Sequence, residues 1–188
     1  MLFSPQFLRI GQGWTNGSAA QFPNGANTAF TWTGSNVISN TNDRSAWSLQ
    51  TFSGNFSIEY TWSINGLNAM FGLSPVSLDG SLNQNNGRAD VLANGAGAGS
   101  AGTYTMYSQS STTYFLAAGS TTAVSGQAAT ASDVMLWTRV GSTVSFFKNT
   151  SLVHAFATTS SAQLRMIIGT EGGATQLDLL AMRWKGGA

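Results

Sequence analysis

Residues 134–156 read VMLWTRVGSTVSFFKNTSLVHAF: apolar and aromatic runs at 134–140 and 144–147, parted by Gly141-Ser142-Thr143, then a polar Lys148-Asn149-Thr150-Ser151 leading into 152–156. Runs of this length bounded by turn formers predict strand, tight turn, strand, turn, strand. The parity of the first strand is open: either Leu136, Thr138 and Val140 face the core, or Met135, Trp137 and Arg139 do. Such a meander cannot bury its apolar face alone and requires a second sheet laid over it.

The rest of the chain supplies strands for that purpose. Residues 56–62, FSIEYTW, alternate strictly, with Phe56, Ile58, Tyr60 and Trp62 on one face and Ser57, Glu59 and Thr61 on the other, the pattern of a half-buried antiparallel strand. Further strands are expected at 29–33, 36–39, 69–73, 103–109, 113–118, 163–168 and 175–184. Residues 119–132 read as a connection, and 128–136 have room for one helical turn. Residues 74–102 are a long polar, glycine-rich passage of the kind that is functional or lacks fixed structure. No 3.6-residue period persists and no repeat or linker divides the chain, so one all-β antiparallel sandwich is expected over 13–188. An arm at 1–12 precedes it, whose Leu2, Phe3, Phe7, Leu8 and Ile10 suit a partner chain or the domain's own core.

Composition excludes several function classes. Charged residues make up 8% of the 188 positions, against about 25% in ordinary soluble domains. The surface is therefore built of Ser, Thr, Asn, Gln and Gly and repels neighbouring copies weakly. The eight Lys and Arg are scattered singly, which leaves no footprint for nucleic acid or an anionic membrane. With no Cys, disulfides, thiolate zinc sites and cysteine nucleophiles are all ruled out. The first residues show no basic segment followed by a long apolar core, and no apolar run approaches the roughly 18 residues that span a bilayer.

The succession FSIEYTW (56–62), MFGLS (70–74), LWTRVGSTVSFFKNTSLVHAF (136–156), LRMIIGT (164–170) and LDLLAMRW (177–184) resembles the concanavalin A-like lectin/glucanase superfamily, in versions found in phage and virus structural proteins. The resemblance spans residues 30–184, and its most specific part, 139–156, is a fold pattern and not a site motif. It implies a jelly roll of two curved antiparallel sheets, with glycan bound on the concave face or on loops at one end. One fold hosts many activities, so a site has to be argued from its own residues.

Glucanases of that superfamily set carboxylates at alternate positions of one strand, about 6.6 Å apart on one face, which suits the acid and nucleophile of glycoside hydrolysis. Here the carboxylates Asp43, Glu59, Asp79, Asp90, Asp133, Glu171 and Asp178 each stand alone in sequence. A catalytic pair would have to be assembled from separate strands, and no enzymatic activity is expected. The single His154 has no second His or Cys with which to share a metal and reads as structural. The cluster Asp79, Asn83, Asn85, Asn86 and Asp90 gathers oxygen ligands of the kind calcium takes, yet without EF-hand spacing it reads first as a polar loop, so no cofactor is expected and calcium is the alternative. Sequons at Asn16, Asn55 and Asn149 matter only in a secretory pathway.

Sugar binding needs aromatic faces beside planar polar groups. Trp32, Trp47, Tyr107, Tyr114 and Trp137 are the aromatic candidates, with Asp43, Arg44, Arg88 and Asp90 as the polar ones. Core packing is the competing reading for each aromatic. The expectation is a non-enzymatic virion protein, such as a fibre tip, spike or capsid decoration subunit, that attaches to glycan or a host surface. Its partners would be copies of itself, other virion proteins and a cell-surface glycan, with no nucleic acid and no membrane insertion. It would be extracellular without a signal peptide, through release of the particle by lysis. A purely structural cement subunit is the competing class, and a glycan hydrolase the third.

Overall fold

A computed structural model of the chain describes residues 15–16, 30–33, 36–39, 44–65, 69–78, 103–110, 112–119, 121–156, 161–170 and 176–186. Side-chain surroundings are defined for fewer of them, excluding 15–47, 63–69, 78, 109, 169–170 and 176–180. The described strands are β1 (Thr15–Asn16), β2 (Phe30–Thr33), β3 (Asn36–Ser39), β4 (Arg44–Phe52), β5 (Phe56–Asn65), β6 (Ala69–Pro75), β7 (Tyr104–Ser110), β8 (Thr113–Ala118), β9 (Thr121–Ala128), β10 (Val134–Val140), β11 (Thr143–Lys148), β12 (Ser151–Ala155), β13 (Leu164–Thr170) and β14 (Gln176–Gly186). They form two antiparallel sheets. The first runs β12-β11-β10-β5-β14-β3-β2 with β1 beside β14, and the second runs β4-β13-β6-β7-β8-β9. This is the expected all-β sandwich.

The alternation of β5 decides which face of the first sheet turns inward. Phe56, Ile58, Tyr60 and Trp62 are buried against Phe71, Leu73, Tyr104, Met106 and Tyr114 of the second sheet, each aromatic or Ile contributing about 2–3 kcal/mol by leaving water. Directly paired residues share a face, and β10 lies between β5 and β11 with Trp137 opposite both Ile58 and Phe146. The parity left open by the sequence is thereby resolved: Met135, Trp137 and Arg139 point inward, and all three are buried. The Trp137 ring lies 4.9 Å from Phe146 and 5.9 Å from Phe156, in stacked orientation to the latter.

Arg139 is an unusual core residue. Its Nε donates to Gly54 O at 2.6 Å, its Nη1 to Ala162 O at 2.6 Å and its Nη2 to Phe52 O at 2.8 Å, while the guanidinium sits 5.1 Å from the Phe56 ring centroid. One side chain thus ties β10 of the first sheet to the end of β4 and to the segment leading into β13 in the second. Burial lowers its pKa from the ordinary value. Three carbonyl dipoles and an aromatic face take the place of the missing carboxylate.

The β11–β12 hairpin turns at Asn149-Thr150, whose φ angles of 49° and 70° are those of the two-residue turn that matches strand twist. Asn tolerates this region, but a β-branched Thr does so only under strain. Thr150→Gly is therefore expected to stabilise the protein by about 1 kcal/mol, read as a higher thermal midpoint. Asn149 also organises the approach to β10. Its Oδ1 accepts from Val134 N at 2.8 Å and its Nδ2 donates to Asp133 Oδ1. Asp133 Oδ2 accepts from Thr130 N at 2.8 Å and lies 3.7 Å from Lys148 Nζ.

Burial alone would raise the Asp133 pKa, but these donors and the Lys148 charge outweigh it, and the carboxyl is held below its ordinary 3.8. A depressed folded-state value means that the stabilisation is fully present above the ordinary value and is lost as the pH falls through the folded one. Asp133→Asn is expected to cost about 1 kcal/mol at pH 7. That gap to the unmodified protein should narrow in urea melts as the pH falls below 3.8.

Two strands depart from the sequence reading. β9 occupies part of the stretch read as a connection, and a turn at 131–132 stands where a helical turn had room. As an edge strand with mostly exposed or half-exposed side chains it needs no apolar period. β4 bulges: Arg165 pairs with Thr51 but Ile167 pairs with Trp47. Ser48 repairs the ladder, its Oγ accepting from Met166 N at 3.0 Å and donating to Gln50 O at 2.6 Å.

Candidate functional site

Both outward faces of the sandwich are legible in the strand register. On the first sheet, residues paired directly across successive strands make one row, Leu152–Phe147–Leu136–Glu59–Arg183, running from β12 through β11, β10 and β5 to β14. Asn16 of β1 pairs next to Arg183. The adjacent row is Ala155–Ser145–Thr138–Ser57–Lys185. The face is apolar towards β12, where Leu152, Val134 and Val140 are exposed, and polar over β5 and β14. Ser57, Thr138 and Lys185 are buried there, while the side chains of Glu59 and Arg183 are 25% and 42% exposed. The described part of this face therefore has a buried hydroxyl and ammonium floor beside a reachable ion pair.

That ion pair depends on a β-bulge. Between Leu180 and Arg183 the register of β14 on β5 shifts, with Ala181 at a φ of 50°. The extra residue lets Met182 and Trp184 bury inward while Arg183 falls opposite Glu59. Arg183 Nε and Nη2 both donate to the same Glu59 oxygen, Oε1, the first at 2.8 Å.

The outward face of the second sheet is different. Met70, Tyr107, Phe115, Ala117 and Ile167 form a second apolar cluster on it, with the Tyr107 and Phe115 rings 4.8 Å apart. Ser74, Thr103, Thr105 and Arg165 are buried alongside. Every one of these described residues is inaccessible.

Three of the sequence-derived aromatic candidates are corrected by these positions. Tyr107 is held in the second cluster. Tyr114 packs 6.1 Å from Trp62 and 5.8 Å from Phe146 between the sheets, and Trp137 lies in the same core. Each sits on a strand flanked on both sides; Tyr107 faces Met70 and Phe115 and Trp137 faces Ile58 and Phe146, while Tyr114, opposite Ser108 and Gln127, is buried by packing against the facing sheet. Burial and then the Asp133 charge push the Tyr114 phenol up to about 12, so it stays neutral at any ordinary pH. Tyr60 is raised too, by burial first, partly offset by the Trp137 indole N–H, which lies close without reaching hydrogen-bond geometry.

Trp32 lies in β2, and Arg44 and Trp47 in β4 opposite Thr170 and Ile167, but their side chains are outside the described residues. Asp43, Arg88 and Asp90 are outside them altogether, as are the calcium candidates Asp79, Asn83, Asn85 and Asn86, the arm at 1–12 and the remaining acid Glu171. Among the described residues no three His, Cys, Asp or Glu gather at one point. Glu59 takes the outward position expected of it. Among the described residues, the next acidic residue in register along this sheet, Asp178, pairs with Ser63, four positions along β5, which separates the Cα atoms by roughly 14 Å. Glycosidase pairs stand within about 9.5 Å. Arg183 was missed by sequence reasoning, and a lone base on the closing strand was the available signal.

No family model and no curated protein matches the sequence. Solved structures do match the fold. The TRIM65 PSpry domain aligns over 87% of this chain and 93% of its own at TM-score 0.58 and 12% identity. The marine PL7 alginate lyase AlyA1 from Zobellia galactanivorans aligns over 85% and 81% at TM-score 0.52 and 12% identity. The Emp47p carbohydrate recognition domain aligns over 93% and 89% at TM-score 0.50 and 10% identity. The architecture is a concanavalin A-like jelly roll, and its neighbours include both carbohydrate-recognition domains and glycan-cleaving enzymes.

Proposed function

We propose that this chain is a non-enzymatic glycan-recognition module of a virion, a fibre tip, spike or decoration subunit, acting outside the cell. The observation that carries the glycan part is the row Phe147–Leu136–Glu59–Arg183, which sets an apolar platform beside a reachable carboxylate–guanidinium pair. A pyranose ring offers the matching surfaces, an apolar face and a ring of hydroxyls. Recognition without cleavage is favoured by Glu59 being engaged with Arg183 and by the distance to Asp178. The low charge supports the virion setting, because subunits packed at high density gain from weak mutual repulsion. Trp32, Asp43, Arg88 and Asp90 remain candidates for glycan contacts, while Arg44 and Trp47, on β4 of the second sheet, would belong to a separate surface.

A second reading, a cement subunit without ligand, is favoured by the exposed Val134, Val140 and Leu152 on that face. Glycan-array binding by the purified protein, run with a polysaccharide hydrolysis panel and a sizing measurement, separates the readings. Binding that falls about tenfold in Arg183→Gln, with an unchanged melting midpoint and no hydrolysis, is the expected result. Absence of binding, with an oligomer that is lost on deleting residues 1–12, would replace recognition by cementing. Hydrolysis abolished by Glu59→Gln would make the protein an enzyme.

A further inference from the structure

We infer that the core between the two sheets carries a binding site for one water molecule, held jointly by Trp137 Nε1, Tyr114 Oη and Tyr60 Oη. The inference is independent of the glycan reading.

Among the described residues of the inter-sheet core, the Trp137 indole nitrogen and the Tyr114 hydroxyl are fully buried without a hydrogen-bond partner. The Tyr60 hydroxyl is buried as well, and its bond is to Met106 Sδ at 3.5 Å, reaching from the first sheet to the second. A thioether sulfur is a weak acceptor, and this contact uses the phenol's hydrogen, so the Tyr60 oxygen is still able to accept. Buried polar groups almost always find a partner, either in the protein or in ordered water.

Strand register brings the three groups together. Tyr60 lies directly opposite Met135, and Trp137 is the next inward residue along β10. Trp62 is the inward residue after Tyr60 on β5, and Phe146 is paired with Trp137. The Tyr114 ring, coming from the facing sheet, lies 6.1 Å from Trp62 and 5.8 Å from Phe146. A ring that meets both spans Met135, beside Tyr60 and Trp137. A charge on Tyr114 would raise the Tyr60 pKa further, as expected of neighbouring phenols, and burial keeps both protonated.

The count of donors and acceptors closes with a single water. An indole N–H can only donate, and it donates to the water oxygen. The Tyr114 O–H donates to the same oxygen, and the water donates to Tyr60 Oη. Three bonds are the usual complement of a buried water. Direct contact between Trp137 and Tyr60 would satisfy the indole but leave the Tyr114 hydroxyl bare, so closer packing alone does not balance the site.

A high-resolution crystal structure tests the site, together with melting midpoints for Tyr114→Phe, Tyr60→Phe and the double variant. Expected is a density peak about 2.7–3.2 Å from Trp137 Nε1 and from both phenol oxygens. The midpoint of Tyr114→Phe should fall by about 2–4 °C, the loss of one hydrogen bond in a chain of this size. In the double variant the fall should be smaller than the two single falls together, because both phenols hold the same molecule. A map without the peak overturns the inference in favour of a direct indole–phenol contact. So does a midpoint that holds or rises in Tyr114→Phe, since removing a hydroxyl that has no partner relieves a desolvation cost and breaks no bond. Strictly additive falls would show that the phenols share nothing.

Discussion

Arg139→Met is expected to destabilise the protein by about 3 kcal/mol, a large part of a domain stability that typically totals 5–15 kcal/mol. The substitution keeps the length and apolar body of the side chain but removes three donors. Phe52 O is then left buried without its partner, whereas Gly54 and Ala162 are exposed and their carbonyls can recover water. The loss should appear as a fall in melting midpoint of about 6–12 °C for a chain of this size. Arg139→Lys keeps the charge but replaces the planar fork by a point donor, so it should recover less than half of the loss. Equal midpoints for Arg139→Met and the unmodified protein would show that the two sheets hold together without this bridge.

Gly72→Ala is the second large effect. A Cβ at this position would stand 2.4 Å from Tyr104 O and 2.9 Å from Thr105 Cα, both backbone atoms of β7. Backbone cannot rotate away, so β6 and β7 must part along their Met70–Tyr107 to Leu73–Tyr104 register. We expect a loss of about 3 kcal/mol, at the upper end of overpacking costs. Gly141→Ala serves as the control. It has a φ of 61° and nothing within 4 Å of the added carbon, so it carries only the left-handed penalty of about 1 kcal/mol. If both variants lost the same stability in urea titrations, the steric argument would fail.

The sandwich was legible where apolar period and turn chemistry agreed. FSIEYTW names its buried face outright, and the 134–156 meander is bounded by residues that turn the chain. What escaped did so for physical reasons. β9 lies at an edge and has no apolar row to display, and β4 hides its strand behind a bulge that Ser48 completes with its side chain. Trp137 stayed ambiguous because β10 is apolar on both faces, Leu136 outward and Met135 inward, so only its neighbours fix the parity. Of the candidate site, Glu59 was placed by alternation, but its partner lies 124 residues away in sequence and reaches it through a bulge that no local pattern announces.

The position of β14 also bears on how the chain is made. This strand sits in the interior of the first sheet, with β5 on one side and β3 on the other, yet of the described strands it is made last. At 5–20 residues per second, the about 110 residues between the end of β5 and the start of β14 take roughly 5–20 s to synthesise. During that time β5 exposes one unpaired edge and β3 another, both seeking a neighbour not yet made. The nascent chain is thus most open to mispairing with another copy just before β14 emerges, and slowed translation between β5 and β14 would lengthen that exposure.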